Sequence, residues 1–346
     1  MIDTKKQSID TIQNITGYNS KYNLYSMTVE YDYDVDDVIK SFTSCRADYK
    51  TGKIKADQAA DEAVRISLGI ETTKTVGLPA FGCTAFTAKI SENDVRMGRN
   101  YDFKINTSGM IVRCKPKSVG NDRRYKSIAF AALANIGITD PILQKDKILL
   151  AAPYICLDGI NEKGVSIAVL VVDGESTCQF DQDKQNLFTT LAIRLVLDKA
   201  DSTDTAVKLL KDYNMFAVGG KDYHFYISDA SGNGVVVEYD YKHSDTRALK
   251  VTPTRVVTNF YIYDKEHYGH GYDRYITVQK ILDRLLEKTG SNELLWTALE
   301  DSSQEPIEGD PTSNTQWSIL FDNTDKSAEI VFRRHWDDKY TFWIEN

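Results

Sequence analysis

Short β-like runs that return through hairpin turns constrain this chain most, because strands joined so closely pair antiparallel and must bury a face under other elements. The strongest case is Tyr223–Ser228 and Val235–Tyr239, flanking the turn-forming stretch Asp229-Ala230-Ser231-Gly232-Asn233-Gly234. Further strands are expected at Thr84–Ile90, Val95–Phe103, Met110–Cys114, Ile148–Cys156, Val165–Val172, Val256–Ile262, Trp317–Phe321, Ala328–Phe332 and Tyr340–Ile344. Helical periodicity interrupts them at Leu187–Lys199, Thr205–Tyr213 and Tyr272–Glu287, with Asp201, Ser202 and Thr203 as N-cap candidates for the second. Strand–helix–strand crossovers are few, so the pattern predicts an α+β fold of antiparallel sheets covered by helices. Before Phe81 the texture differs: residues 1 to about 78 are polar, with helical periodicity at Val35–Phe42 and Ala56–Leu68. A break through Gly69, Thr72, Thr73, Gly77 and Pro79 then reads as a linker.

With 346 residues, 42% hydrophobic and 11% aromatic, the chain can bury one large core or two smaller ones. A formal charge of -8 speaks against a nucleic-acid partner, since phosphate neutralisation needs a clustered excess of Lys and Arg. Five cysteines (Cys45, Cys83, Cys114, Cys156, Cys178) are an odd number without a C-x-x-C, so neither a disulfide framework nor a zinc site is expected, and at least one thiol is free. His267 and His270 form an H-x-x-H pair in a Gly-rich loop but lack further placed ligands, so no metal or other cofactor is implied. The opening MIDTKKQSIDTIQN has no apolar h-region, and no stretch reaches the roughly 18 apolar residues of a membrane span. The reading is a soluble protein, with localisation and homo-oligomeric state left open.

Chemistry concentrates around Cys83. The segment Phe81-Gly82-Cys83-Thr84-Ala85-Phe86 leads through the polar turn Ser91-Glu92-Asn93-Asp94 into Met97-Gly98-Arg99-Asn100-Tyr101-Asp102-Phe103. If Ile90 pairs with Val95, the ladder sets Cys83 opposite Asp102, and a bulge near Gly98 is then needed to bring Arg99 to the same face. On its own, a cysteine at a strand start is commonly a small buried hydrophobe.

The spacing of Cys83, Arg99, Asn100 and Asp102, within G-C-T-x-F and G-R-N-x-D, resembles the choloylglycine hydrolase and acid ceramidase superfamily of N-terminal-nucleophile amidases. Four segments extend the resemblance over most of residues 82–346. They are Asp158-Gly159-Ile160-Asn161-Glu162-Lys163-Gly164, the His224-to-Gly232 hairpin with Val236-Val237-Glu238 after it, Thr258-Asn259, and the helix start Gly271-Tyr272-Asp273-Arg274-Tyr275.

That resemblance implies a four-layer αββα sandwich with a helical N-terminal propiece, residues 1–82, released by autoproteolysis between Gly82 and Cys83. Residues 83–346 would then be the catalytic domain. Cys83 is implied to be the nucleophile, Arg99 to favour its thiolate, Asp102 to bind the new α-ammonium, Asn259 to bind the oxyanion, and Arg274 to face the site. An N-terminal cysteine supplies a thiol (pKa about 8.5) and an amine (about 8) that can exchange a proton near neutral pH, so no histidine base is required. Glycine at position 82 suits the strained backbone such a cleavage demands. Where bile-salt hydrolases carry an oxyanion-binding Asn, this chain has Val171, which leaves only a backbone N–H. The long N-terminal segment is like the branch of acid ceramidase and N-acylethanolamine amidase. The implied substrate is a small-molecule N-acyl amide with a fatty acyl group, with bile-acid conjugates and penicillin V as alternatives and a non-catalytic binding protein on the same fold as a further one. Tyr101, Phe103, Met110 and Phe260 are candidates for an apolar acyl pocket, and the cleaved propiece is expected either to stay bound or to leave.

Overall fold

A computed structural model describes residues 3–46, 48, 51, 53–75, 81–118, 120–243, 246–287, 292–308 and 314–344. Gly77 and Pro79 of the expected linker lie outside the described residues. In chain order the strands are β1 (Gln13–Asn14), β2 (Leu24–Val29), β3 (Phe81–Ser91), β4 (Asp94–Phe103), β5 (Gly109–Cys114), β6 (Ser127–Ala132), β7 (Cys156–Asn161), β8 (Ser166–Val172), β9 (Asn186–Phe188) and β10 (Asn214–Phe216). They continue with β11 (Asp222–Ser228), β12 (Gly234–Tyr239), β13 (Leu249–Pro253), β14 (Val256–Val257), β15 (Asn259–Phe260), β16 (Gly269–His270), β17 (Thr315–Asp322), β18 (Ser327–Phe332) and β19 (Lys339–Trp343).

Two sheets carry the fold. One has nine strands in the order β1-β2-β5-β6-β7-β8-β11-β12-β13, the other six in the order β14-β3-β4-β17-β18-β19. Their neighbours pair antiparallel, except that β2 lies parallel to β5. Alternation along β3 assigns the layers, because successive side chains point to opposite faces. Cys83 and Ala85 join a core shared with Val169 and Ile167 of β8, so this face lies between the sheets. Phe86 and Ala88 instead pack with Val278, Ile281, Leu295 and Leu299 from the helices Tyr272–Glu287 and Asn292–Asp301. The helix Thr189–Lys199 covers the outer face of β7 and β8. The result is the αββα sandwich expected from the sequence.

Local signals account for several element ends. Ser202, among the three cap candidates, accepts from the Thr205 N–H and starts the helix Thr203–Lys211. Gly69, at φ 59°, closes the helix Ala56–Leu68 in the left-handed conformation that glycine adopts without a Cβ clash. Tyr272–Glu287 forms over its expected span. Within residues 1–82 the structure adds what periodicity did not signal: β2 is an internal strand of the nine-stranded sheet, and Tyr33 donates to the buried Asp198 carboxylate at 2.9 Å.

The expected strand Ile148–Cys156 is corrected. Lys147–Tyr154 is a 3-10 segment capped by the Asp146 side chain and containing Pro153, and the strand starts only at Cys156. An unbroken apolar run carries no period to separate strand from buried helix. Strands β2, β6 and β13 and the helix Asn292–Asp301 were not foreseen; the Ser127–Ala132 run is Ala-rich, a composition with weak β preference.

Candidate active site

The β3–β4 hairpin corrects the expected register by one residue. Lys89 pairs with Val95, the irregularity falls between Lys89 and Ser91 rather than near Gly98, and Cys83 lies opposite Tyr101 while Gly82 lies opposite Asp102. Consequently Cys83, Tyr101 and Arg99 share the inter-sheet face, and Thr84, Asn100 and Asp102 share the helix face. Gly82 sits in this ladder as a paired strand residue.

On the inter-sheet face, Cys83 is fully buried and its Sγ lies 3.8 Å from the Val169 carbonyl oxygen. Arg99 Nη2 donates to that same carbonyl at 2.8 Å, Nη1 to the Asn100 carbonyl at 2.5 Å, and Nε to Asp158 Oδ2 at 3.2 Å. Burial pushes the Cys83 thiol up to about 11, with the Arg99 guanidinium offsetting only part of that rise. Arg99 thus acts on the thiol in the expected direction, and burial outweighs it in the intact chain. Asp158 is raised to about 6, chiefly by burial, while Arg99 and the Trp317 indole N–H at 3.2 Å pull it back. The sequence marked Asp158 only as part of a turn; its place beneath Arg99 follows from the β6–β7–β8 packing and had no local signal.

On the edge and helix side, β14 supplies the geometry. Val257 pairs with Ala85, so continuing the antiparallel register brings Asn259 level with Cys83. Its side chain replaces a ladder bond there: Asn259 Oδ1 accepts the Cys83 N–H at 2.9 Å, and Nδ2 donates to the Val171 carbonyl at 2.7 Å. Arg274, in the first turn of its helix, donates from Nη1 to the Cys83 carbonyl at 2.7 Å and Thr84 Oγ1 at 2.9 Å, and from Nη2 to Asn259 Oδ1 at 2.8 Å. Asp102 Oδ2 lies 3.6 Å from Arg274 Nη1 and accepts from Gln304 Nε2 at 2.6 Å, while Oδ1 accepts from Thr315 Oγ1 at 2.5 Å.

Cys83, Arg99, Asp102, Asn259, Arg274 and Val171 are thus brought together. The acyl-pocket candidates are dispersed. Tyr101 stacks on Trp317 with centroids 4.2 Å apart, and Met110 pairs with Tyr25 and Ala131 within the nine-stranded sheet. Phe260 packs with His267, Tyr272 and Tyr275. Phe103 lines a cavity of about 520 Å³ together with Ile105, Ile136 and the Thr73–Thr75 segment. His270 is engaged by Asp173 at 2.9 Å and His267 by the Phe260 ring. Among the described residues no helix is long and apolar enough to cross a membrane.

A sequence profile of the linear amide C–N hydrolases, choloylglycine hydrolase family, matches residues 83–298. The chain belongs to this family. Its match begins at Cys83, and the enzyme is accordingly a hydrolase of linear amide C–N bonds with the N-terminal-nucleophile fold. Among solved structures it is similar to penicillin V acylase from Agrobacterium tumefaciens, at 18% identity and a TM-score of 0.54 over 72% of this chain and 83% of that one. It is also similar to a mutant of the conjugated bile acid hydrolase from Clostridium perfringens, at 16% identity and a TM-score of 0.55 over 76% of this chain and 93% of that one. No curated protein sequence gives a significant match.

Proposed function

We propose that this family member is a self-cleaving precursor whose Cys83 becomes an N-terminal nucleophile for the hydrolysis of fatty-acyl amides. The observation that carries the reading is the grip on Cys83 itself: its N–H is held by Asn259, its carbonyl by Arg274, and its thiol lies buried over Arg99. In the cleavage, the thiol loses its proton and its sulfur attacks the Gly82 carbonyl carbon. The C–N bond to Cys83 breaks, its nitrogen gains a proton, and water opens the resulting thioester to a Gly82 carboxylate and a free Cys83 thiol. In this scheme Asp102, opposite Gly82 in the ladder, binds the new α-amine as the ammonium.

Turnover follows the same course. The Cys83 sulfur attacks the substrate carbonyl, Asn259 Nδ2 turns from Val171 to the oxyanion, the α-ammonium protonates the leaving amine, and water hydrolyses the thioester. Residues 1–82 ahead of the matched segment and Val171 in place of an asparagine support a flexible acyl chain over a rigid sterol. Bile-acid conjugates or penicillin V form the second reading, favoured by the likeness to a penicillin V acylase and a conjugated bile acid hydrolase.

Intact-mass measurement tests the activation: two fragments beginning at residues 1 and 83 are expected, and an uncut chain working at full rate would end the scheme. Comparing kcat/KM for N-oleoylethanolamine, an N-acyl amino acid, taurocholate and penicillin V tests the substrate. Activity should climb with acyl length, at up to ~0.8 kcal/mol per buried methylene; taurocholate as best substrate without length dependence would replace this reading with the second.

A further inference from the structure

His224 and Glu238 fall in a stretch of sequence that resembles the family's, yet the mechanism above gives them no part. Both are fully buried, on adjacent strands β11 and β12. His224 Nδ1 lies 2.9 Å from Glu238 Oε1, and its Nε2 lies 2.7 Å from the Thr258 carbonyl oxygen. A carbonyl can only accept, so Nε2 carries a proton; a second proton must then lie between Nδ1 and the carboxyl group. Glu238 also receives two backbone donors, Ile262 N–H on Oε1 at 2.8 Å and Tyr263 N–H on Oε2 at 2.9 Å. Backbone donors converging on a carboxyl group favour its ionised form, which assigns the second proton to the imidazole.

The partners of this pair bracket one segment. His224 holds the Thr258 carbonyl, immediately before Asn259, and Glu238 holds the N–H groups of Ile262 and Tyr263, just beyond it. Between these anchors, Asn259 leaves the β14 edge and turns its amide onto Cys83 and Val171. Its backbone, in the two-residue strand β15, pairs with β16 and not with the six-stranded sheet, so the anchors on either side help fix where its side chain points.

We propose that His224 and Glu238 form a buried imidazolium–carboxylate clamp that positions Asn259 against Cys83. They are positioning residues, acting through Asn259, and the proposal rests on the site reading given above. Removing His224 releases the Thr258 carbonyl and removing Glu238 releases the Ile262 and Tyr263 N–H groups, and either change leaves the other residue charged and unpaired in the core.

Two measurements on the full chain test it without relying on turnover. In ¹⁵N-histidine-labelled wild-type protein at pH 7.5, one histidine should show both ring nitrogens protonated, and His224→Gln should remove that signal. Should His224→Gln not fold, single Gln substitutions of His243, His267, His270 and His335 assign it by elimination. A His224 ring with an unprotonated Nδ1 overturns the charge assignment. In the uncut Cys83→Ala precursor, adding Glu238→Gln should lower hydrogen-exchange protection of the residue-83 amide at least tenfold, while Ile319 and Ile330 in β17 and β18 stay within about threefold. Equal loss at all three amides, or none, overturns the clamp. Failure of the chain to hydrolyse any amide, with both results as expected, counts against the proposed function alone.

Discussion

Cysteine labelling during self-cleavage should invert the reactivity order of the thiols. In the intact chain Cys83 is fully buried and raised to about 11, burial outweighing Arg99. At pH 7.5 this leaves about one thiolate in 3,000, against about one in ten for an ordinary thiol of pKa about 8.5, a deficit of roughly 300-fold before steric exclusion is counted. Cleavage removes the chain on the N-terminal side of the thiol and sets an α-amine beside it, and both changes favour reaction with a small electrophile. A sample taken part-way through cleavage contains both forms under identical conditions. Iodoacetamide treatment, separation of full-length chain from large fragment, and peptide mapping give the Cys83 rate in each. Cys83 should be among the slowest thiols of the full-length chain, with the buried Cys114 and Cys156, and the fastest in the fragment. Equal Cys83 rates in the two species would refute the argument that burial, relieved by cleavage, governs this thiol.

Asp158 is ionised above about pH 6 and protonated below it, so acidification removes the counter-charge of Arg99; kcat/KM of the mature enzyme should fall below that pH, and Asp158→Asn should be low but flat there. An unchanged acid limb in the variant would assign it to another group. Arg274→Met deletes hydrogen bonds to the Cys83 carbonyl, Thr84 and Asn259. At ~1.5–3 kcal/mol for one bond from a charged donor, self-cleavage followed by gel should slow at least about tenfold. Gly98→Ala would place a Cβ 2.1 Å from Phe86 Cζ, and overpacking of this kind costs ~1–3 kcal/mol; an unchanged midpoint in urea denaturation would show that the Phe86 ring yields freely.

Much of this architecture was legible in local signals. The turn at Asp229–Gly234, the Ser202 cap and the period of Tyr272–Glu287 are each encoded within a few residues and appear where the sequence placed them. What was not legible depends on contacts between distant segments. No pattern within Leu24–Val29 announces that it will enter a sheet beside β5, a parallel partner distant in sequence. Asp158 reads as a turn residue until the inter-sheet packing sets it under Arg99. His224 and Glu238 look like alternating strand residues until the 258–263 segment packs against them.

The one-residue error in the hairpin register carries the most chemistry. Pairing Cys83 with Asp102 asked a single face to hold thiol, carboxylate and guanidinium together, which required a bulge near Gly98. The observed ladder leaves Arg99 and Asp102 on opposite faces and uses both. Cys83 lies at the junction: its side chain enters the dry space between the sheets, where Arg99 stands, while its backbone N–H and carbonyl lie in the sheet plane, within reach of Asn259 and Arg274. Asp102 faces the helix side opposite Gly82, whose departure in the proposed cleavage would expose the amine. The thiol and the backbone of this one residue therefore meet different partners. A strand edge permits this separation because the adjoining strand, β14, ends at Val257 and leaves the Cys83 N–H to a side chain. Extending β14 by two residues would satisfy that N–H with backbone and displace Asn259, so the early end of this strand is part of the site.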